Sequence, residues 1–289
     1  MAKKLIVSLL PGATEMVAAM GGAAQLVGVS HECDWPEAVA SLPRVTVTPI
    51  DGRQPSAEIH RAVQHAVAEG RSVIGIDAGM LRELQPDVII TQQLCDVCAV
   101  ADGEAMRLAR VMDPPPEVVV LSGSTLAGVW NDVRRVGVAI GREAEAHAVA
   151  RKLEADVAAI AARPMTDRPG VVAIEWLEPL FLAGHWVPEM IAAAGGRDLG
   201  AAPGSHSTIR EWDEVMALDP ALVFVILCGF DAARGHAELA RVTDRRIRDW
   251  LDARRVVVLD GNAYTSRPGP RLVEGIRLMA EAISQSVPA

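Results

Sequence analysis

Short runs of Val, Ile and Leu alternate with helical patterns along the whole 289-residue chain. The apolar runs fall at 5–10, 26–29, 72–76, 88–91 and 118–121, then again at 171–175, 222–227 and 255–259. They show little polar–apolar alternation, as expected of parallel strands covered on both faces. Between them, helical spacing recurs at 15–20, 56–68, 80–84, 103–111, 188–194, 209–218 and 271–284. Strand–helix alternation of this kind predicts βαβ units and parallel sheets.

One local pattern occurs twice. Leu84-Gln85-Pro86-Asp87 precedes Val-Ile-Ile, and Leu218-Asp219-Pro220-Ala221 precedes Leu-Val-Phe-Val-Ile. In each, a proline ends a helix and opens a buried strand. Two copies in two halves predict two similar lobes, with an insertion in the first. Between the halves, Leu126, Val129, Trp130, Val133, Val136 and Ile140 line one helical face. A second stretch, with Leu153, Val157 and Ile160, is rich in Ala. Gly141 is placed to divide the two. About 20 helical residues reach roughly 30 Å, enough to bridge two lobes. The chain therefore reads as an α/β protein of two lobes, each with a central, mostly parallel sheet flanked by helices. A long backbone helix joins them. The divisions are an N-terminal lobe at 1–124, connecting helices at 125–168 and a C-terminal lobe at 169–289. One continuous sheet under a long covering helix is the alternative.

A formal net charge of −9 repels nucleic-acid phosphates and anionic lipid. The basic pairs Arg245-Arg246 and Arg254-Arg255 lie among Asp244, Asp249 and Asp252, so they read as a solvated face. No stretch approaches the ~18 apolar residues of a membrane span, which excludes membrane insertion by a helix. The opening Met1-Ala2-Lys3-Lys4 leads into an apolar run too short for a secretory signal. The expectation is a cytoplasmic protein, or a periplasmic or extracellular one whose signal has been removed.

Aromatic residues make up only 3% of the chain, so their placement carries information. Trp35, Trp176, Phe181, Trp186, Phe230 and Tyr264 all fall just after predicted strands or in the loops that follow. Loops at the carboxyl ends of parallel strands form the ligand crevice of such folds. Flat side chains there suit stacking on a large planar ligand, or they anchor the loops to their own core. Polar groups share these loops. Arg267 sits in the stiff turn Arg267-Pro268-Gly269-Pro270-Arg271, and Arg271 reads as a cap or a structural ion pair.

Cys95-Asp96-Val97-Cys98 follows one predicted strand and His31-Glu32-Cys33-Asp34 follows another. If the two strands are neighbours, His31, Cys33, Cys95 and Cys98 form a thiolate–imidazole set suited to zinc. A redox pair and buried thiols are the alternatives. The fourth cysteine is Cys228. No P-loop, dinucleotide-binding glycine motif, HExxH helix or nucleophile elbow is present. The expectation is a binding protein rather than an enzyme. A metal-dependent enzyme built on Cys33, Cys95 and Cys98 and a cofactor-free interaction module are the rivals.

Longer segments resemble a known family. Ser8-Leu9-Leu10-Pro11-Gly12-Ala13-Thr14-Glu15 is similar to the opening of cobalamin-type substrate-binding proteins of ABC transporters, which carry one helical backbone between lobes. The segments 27–36, 84–100, 184–196, 228–230 and 260–271 resemble further parts of the same family. The resemblance implies a corrinoid such as cobalamin, a haem or a ferric chelate held between the lobes. It implies Trp35, Trp176, Trp186, Phe230 and Tyr264 as lining residues, and His31, His185 or His206 as the source of an axial nitrogen. In transporter-linked members the resemblance implies an ABC transporter permease as partner, docked through a glutamate of each lobe; Glu189 is one candidate, with a surface carboxylate at a helix start as the preferred reading of that residue. The expected role is binding of the corrinoid for uptake, delivery or storage, without catalysis; in the absence of an export signal, storage, delivery or sensing inside the cell is the alternative.

Overall fold

The computed structural model describes residues 3–93, 102–164 and 167–285. The N-terminal half runs β1 (Ile6–Ser8), α1 (Pro11–Ala19), β2 (Leu26–Val29), β3 (Thr46–Val47), α2 (Ser56–Ala68), β4 (Gly75–Ile76), α3 (Ala78–Leu84), β5 (Val88–Gln92), α4 (Asp102–Arg110) and β6 (Glu117–Leu121). Its parallel sheet has the order β2-β1-β5-β6. Ile6 lies between Leu26 and Val88, and all three are buried. The run predicted as a strand at 72–76 does not join this sheet. Only Gly75 and Ile76 pair, antiparallel to Val47 and Thr46, in a separate two-stranded ladder that frames α2.

The predicted helix between the halves divides where expected. α5 (Leu126–Ala139) and α6 (Glu143–Ala161) are separated by Gly141 at φ +73°, a left-handed turn open to glycine without steric cost. The Thr125 hydroxyl caps α5 by accepting the Gly128 N–H at 3.0 Å.

The C-terminal half runs β7 (Gly170–Leu177), β8 (Leu180–Leu182), α7 (Val187–Ala193), β9 (Arg197–Asp198), β10 (Thr208–Ile209), α8 (Trp212–Ala217), β11 (Leu222–Val225), α9 (Ala232–Leu239), α10 (Arg245–Asp252), β12 (Arg255–Val258), α11 (Gly261–Tyr264) and α12 (Leu272–Ser284). β7, β11 and β12 are parallel, β9 pairs parallel to β7, and β8 and β10 add an antiparallel edge. The repeated helix–proline–strand pattern has the same backbone in both copies. Gln85 and Asp219, each just before the proline, take left-handed φ values of 43° and 46°.

One apolar cluster runs through both lobes. It joins Met16 and Val17 of α1, Val129 and Val133 of α5, Ala150 and Leu153 of α6, Met190 of α7, and Ile276 and Met279 of α12. Smaller clusters cover the outer faces of the two sheets. Because interiors pack like crystals, a shared core at the lobe junction restrains large rotation of one lobe against the other. No helix among the described residues is long and apolar enough to cross a membrane.

Candidate functional site

The loops after β1 and β2 of the N-lobe meet the turn before α12 of the C-lobe. Gly12, in the first turn of α1, lies against Pro268, and a Cβ built there would sit 2.3 Å from the Pro268 carbonyl oxygen. Only glycine permits that approach. It brings Glu15, one turn further along α1, to the Arg267 side chain.

Arg267 is the centre of the junction. Its guanidinium donates to both carboxylate oxygens of Asp34, one at 3.0 Å, to Glu15 Oε1 at 3.3 Å, to the Glu32 carbonyl at 3.2 Å and to Asn262 Oδ1 at 2.8 Å. Asn262 in turn donates to Asp34 at 3.1 Å. Arg271 lies 3.6 Å from Glu15 Oε1. Burial pushes the Glu15 carboxyl up to about 7, and the charges of Arg267 and Arg271 offset this only in part. Burial raises the Asp34 carboxyl too, but hydrogen bonds and charge from Arg267 outweigh it and hold the group below the usual carboxylate range.

Two aromatic rings from opposite lobes flank Arg271. Its guanidinium carbon is 5.1 Å from the Trp35 ring and 5.0 Å from the Tyr264 ring. Trp35 is 52% exposed, so a broad face remains open to a partner. The structural ion pair expected for Arg271 is present, and the ring contacts add a cation–π role.

Further out, Trp176 and Phe230 stand 5.3 Å apart at a tilt of 53°. Phe181 lies 6.1 Å from His60 of α2. Arg234 covers the Phe230 ring at 3.7 Å. Trp186 sits elsewhere: it is 5% exposed within the shared core, and its indole N–H donates to the Thr265 carbonyl at 2.8 Å. His185 and His206 form an edge-on pair 5.4 Å apart. His185 has a left-handed φ of 54°, held by hydrogen bonds to Ser205 and from Gly204. Burial, and then the charge of His206, hold the pKa of its imidazole below the usual range. His31 lies apart from that pair, with Nδ1 2.6 Å from the Thr46 hydroxyl.

The cysteine set is only partly visible. Cys95 and Cys98 lie outside the described residues. Cys33 is buried beside the Thr14 hydroxyl at 3.1 Å, and burial pushes its thiol up to about 11. A protonated thiol in an apolar core is a poor metal ligand. Among the described residues, no three His, Cys, Asp or Glu side chains come together to hold an ion.

Glu189 accepts the Leu126 N–H at 2.6 Å and so caps α5. A cavity of about 160 Å³ between the end of α6 and the C-lobe and one of about 120 Å³ on the C-lobe are lined by residues other than the cleft aromatics, and each is below macrocycle size. Asn262 was legible as a polar group in the loop before Tyr264, whereas Asp34, Arg234 and His60 carried no role in the sequence reading. Asp34 stands between Cys33 and Trp35, which drew the attention, and its partner is more than two hundred residues away.

The family described as Periplasmic binding protein matches residues 6–242. No curated protein matches the chain. Among solved structures, the periplasmic heme-binding protein RhuT from Roseiflexus sp. RS-1 is 22% identical with a TM-score of 0.69, covering 99% of each chain. The periplasmic vitamin B12 binding protein BtuF of Vibrio cholerae is 18% identical with a TM-score of 0.67, covering 98% of this chain and 97% of its own. A periplasmic heme binding protein from Pseudomonas aeruginosa is 21% identical with a TM-score of 0.68, covering 99% and 94%. These likenesses concern the fold.

Proposed function

The chain belongs to the periplasmic binding protein family, and from that premise we propose that it holds a flat, metal-bearing macrocycle between its lobes, in the first instance a corrinoid such as cobalamin. Membership makes it a solute-binding protein rather than an enzyme. The observation that carries the macrocycle reading is the approach of Trp35 and Tyr264, from opposite lobes, to the one guanidinium of Arg271. Rings on both sides of a cleft suit a broad, weakly polar ligand face. Asn262 and Arg271 supply donors for its polar rim, and Arg267, committed to Asp34, Glu15 and the Glu32 carbonyl, holds the loops that carry them.

Haem is the second reading. Arg271, 23% exposed, matches a carboxylate at the edge of a haem, and both haem- and vitamin B12-binding proteins share the fold. Trp176, Phe181 and Phe230 extend the apolar surface, and His185 or His206 offers a ring nitrogen to a metal centre. The family's role supports an ABC transporter permease as partner. It also supports a location outside the cytoplasm, where the structural relatives are described; nothing in the comparisons supports the cytoplasmic expectation.

Absorbance and thermal-shift titrations with cobalamin, cobinamide and haem test the reading. Saturable one-to-one binding with a raised Tm is expected for one of the three. No shift with any of them rejects it.

A further inference from the structure

Helix α2 belongs to the N-lobe by sequence but docks on the C-lobe. Among the named elements its main packing partner is β7. Of its 13 residues only Ser56 and Ala66 are buried. The excursion that carries it returns to its own lobe through the short β3–β4 ladder and the Asp77 N–H to Val45 carbonyl bond at 2.9 Å. A helix so attached is free to swing if its far contacts release.

Those far contacts are specific. Glu238 of α9, 5% exposed, accepts the Ser56 N–H at 3.0 Å and so caps α2 from the other lobe. Arg234 of α9 donates to the carbonyls of Gly52 and Gln54, just before α2. Ile59 packs against the C-lobe cluster that contains Phe230 and Trp176. His60 rests against Phe181.

We propose that α2 is a displaceable cover, and that the bed beneath it, formed by Trp176, Phe181 and Phe230, receives the flat face of the ligand when α2 lifts. The proposal rests on the cleft-binding reading and adds its regulation. Ile59 and His60 occupy the bed in the closed state, so ligand and helix compete for one surface. The apparent dissociation constant is then the intrinsic one divided by the fraction of molecules with α2 lifted, so a rarely lifted cover weakens binding. Glu238 and Arg234 are positioning residues that set this fraction.

Hydrogen exchange at the α2 amides and the association rates of haemin and dicyanocobinamide test it, with the wild type compared against Glu238→Ala and Ile59→Ala. The expected result is a roughly tenfold loss of protection confined to α2, with association faster by a similar factor. Ile59→Ala carries the test should Glu238→Ala fail to fold. Unchanged α2 exchange in a folded variant overturns the cover. Faster exchange without faster association of a ligand that binds overturns the gating. If neither macrocycle binds any form, the cleft-binding reading falls, and uptake of 8-anilinonaphthalene-1-sulfonate then decides for the cover. Stronger dye fluorescence in the variants upholds an apolar bed under α2, and unchanged fluorescence rejects it.

Discussion

Glu15 and Arg267 meet at 3.3 Å across the lobe junction, with 2% and 6% of their side chains exposed. Opposite charges from two lobes thus share one dry space, and a second carboxylate, Asp34, completes the cluster. A buried ion pair is weak evidence of net stability, because desolvation opposes the attraction. Its value here is registration. It ties the α1 loop to the turn before α12 and places Trp35 opposite Tyr264.

The burial of Glu15 sets a pH dependence. Its folded carboxyl titrates at about 7 and its unfolded one near 4.5. Below 4.5 both states are protonated; between the two values only the folded state holds the proton. The contribution of Glu15 to stability is therefore greatest at low pH, falls as pH rises through this window, and is constant above it. The drop is on the order of 3 kcal/mol. Asp34 acts in the opposite sense, but below its ordinary range, so the two windows separate. Urea unfolding across pH 4 to 8 is expected to show this decline in the wild type and a flatter profile in Glu15→Gln. Parallel profiles would contradict the assignment.

Trp186 is expected to behave as core. Trp186→Phe removes the indole donor and leaves the Thr265 carbonyl without its partner. Loss of about 1–3 kcal/mol of stability follows, measured by thermal or urea unfolding. Ligand affinity is expected to stay within about twofold, since the side chain is 5% exposed.

The same residue shows where sequence reasoning stops. An aromatic in a loop after a strand reads alike whether it lines a cleft or anchors a loop, and only a partner distant in sequence, the Thr265 carbonyl, separates the cases. The continuous apolar runs at β5 and β11, the full length of α2, the break at Gly141 and the proline turns were legible, because each has a local cause. The edge strands β8 and β10 were not, being two or three residues long. Helices α9 and α10 were also missed. α10 is mostly Arg and Asp, with Ile247, Trp250 and Leu251 as its buried positions. The aspartates that cap them, Asp231 and Asp244, were the available signal. Arg267 was legible as a residue aimed by a stiff turn. Its pairing with Asp34, 233 residues away, had no local cause to read.

Cys33 is expected to be inert in the native protein. Its thiol is 2% exposed and titrates near 11. Peptide mapping after alkylation with iodoacetamide at pH 8 should find Cys33 unmodified without denaturant and modified in urea. Native modification at a rate typical of exposed thiols would show that this part of the core opens.

The central claim is that both lobes grip one macrocycle, and the dissociation constant of the bound corrinoid or haem in Trp35→Ala and Tyr264→Ala tests it most directly. Each variant removes a ring from one lobe, and Trp35 at 52% exposure contributes little to folding. The account predicts at least tenfold weaker binding in each variant, about 1.4 kcal/mol, with the fold retained. Affinity unchanged in both would contradict it.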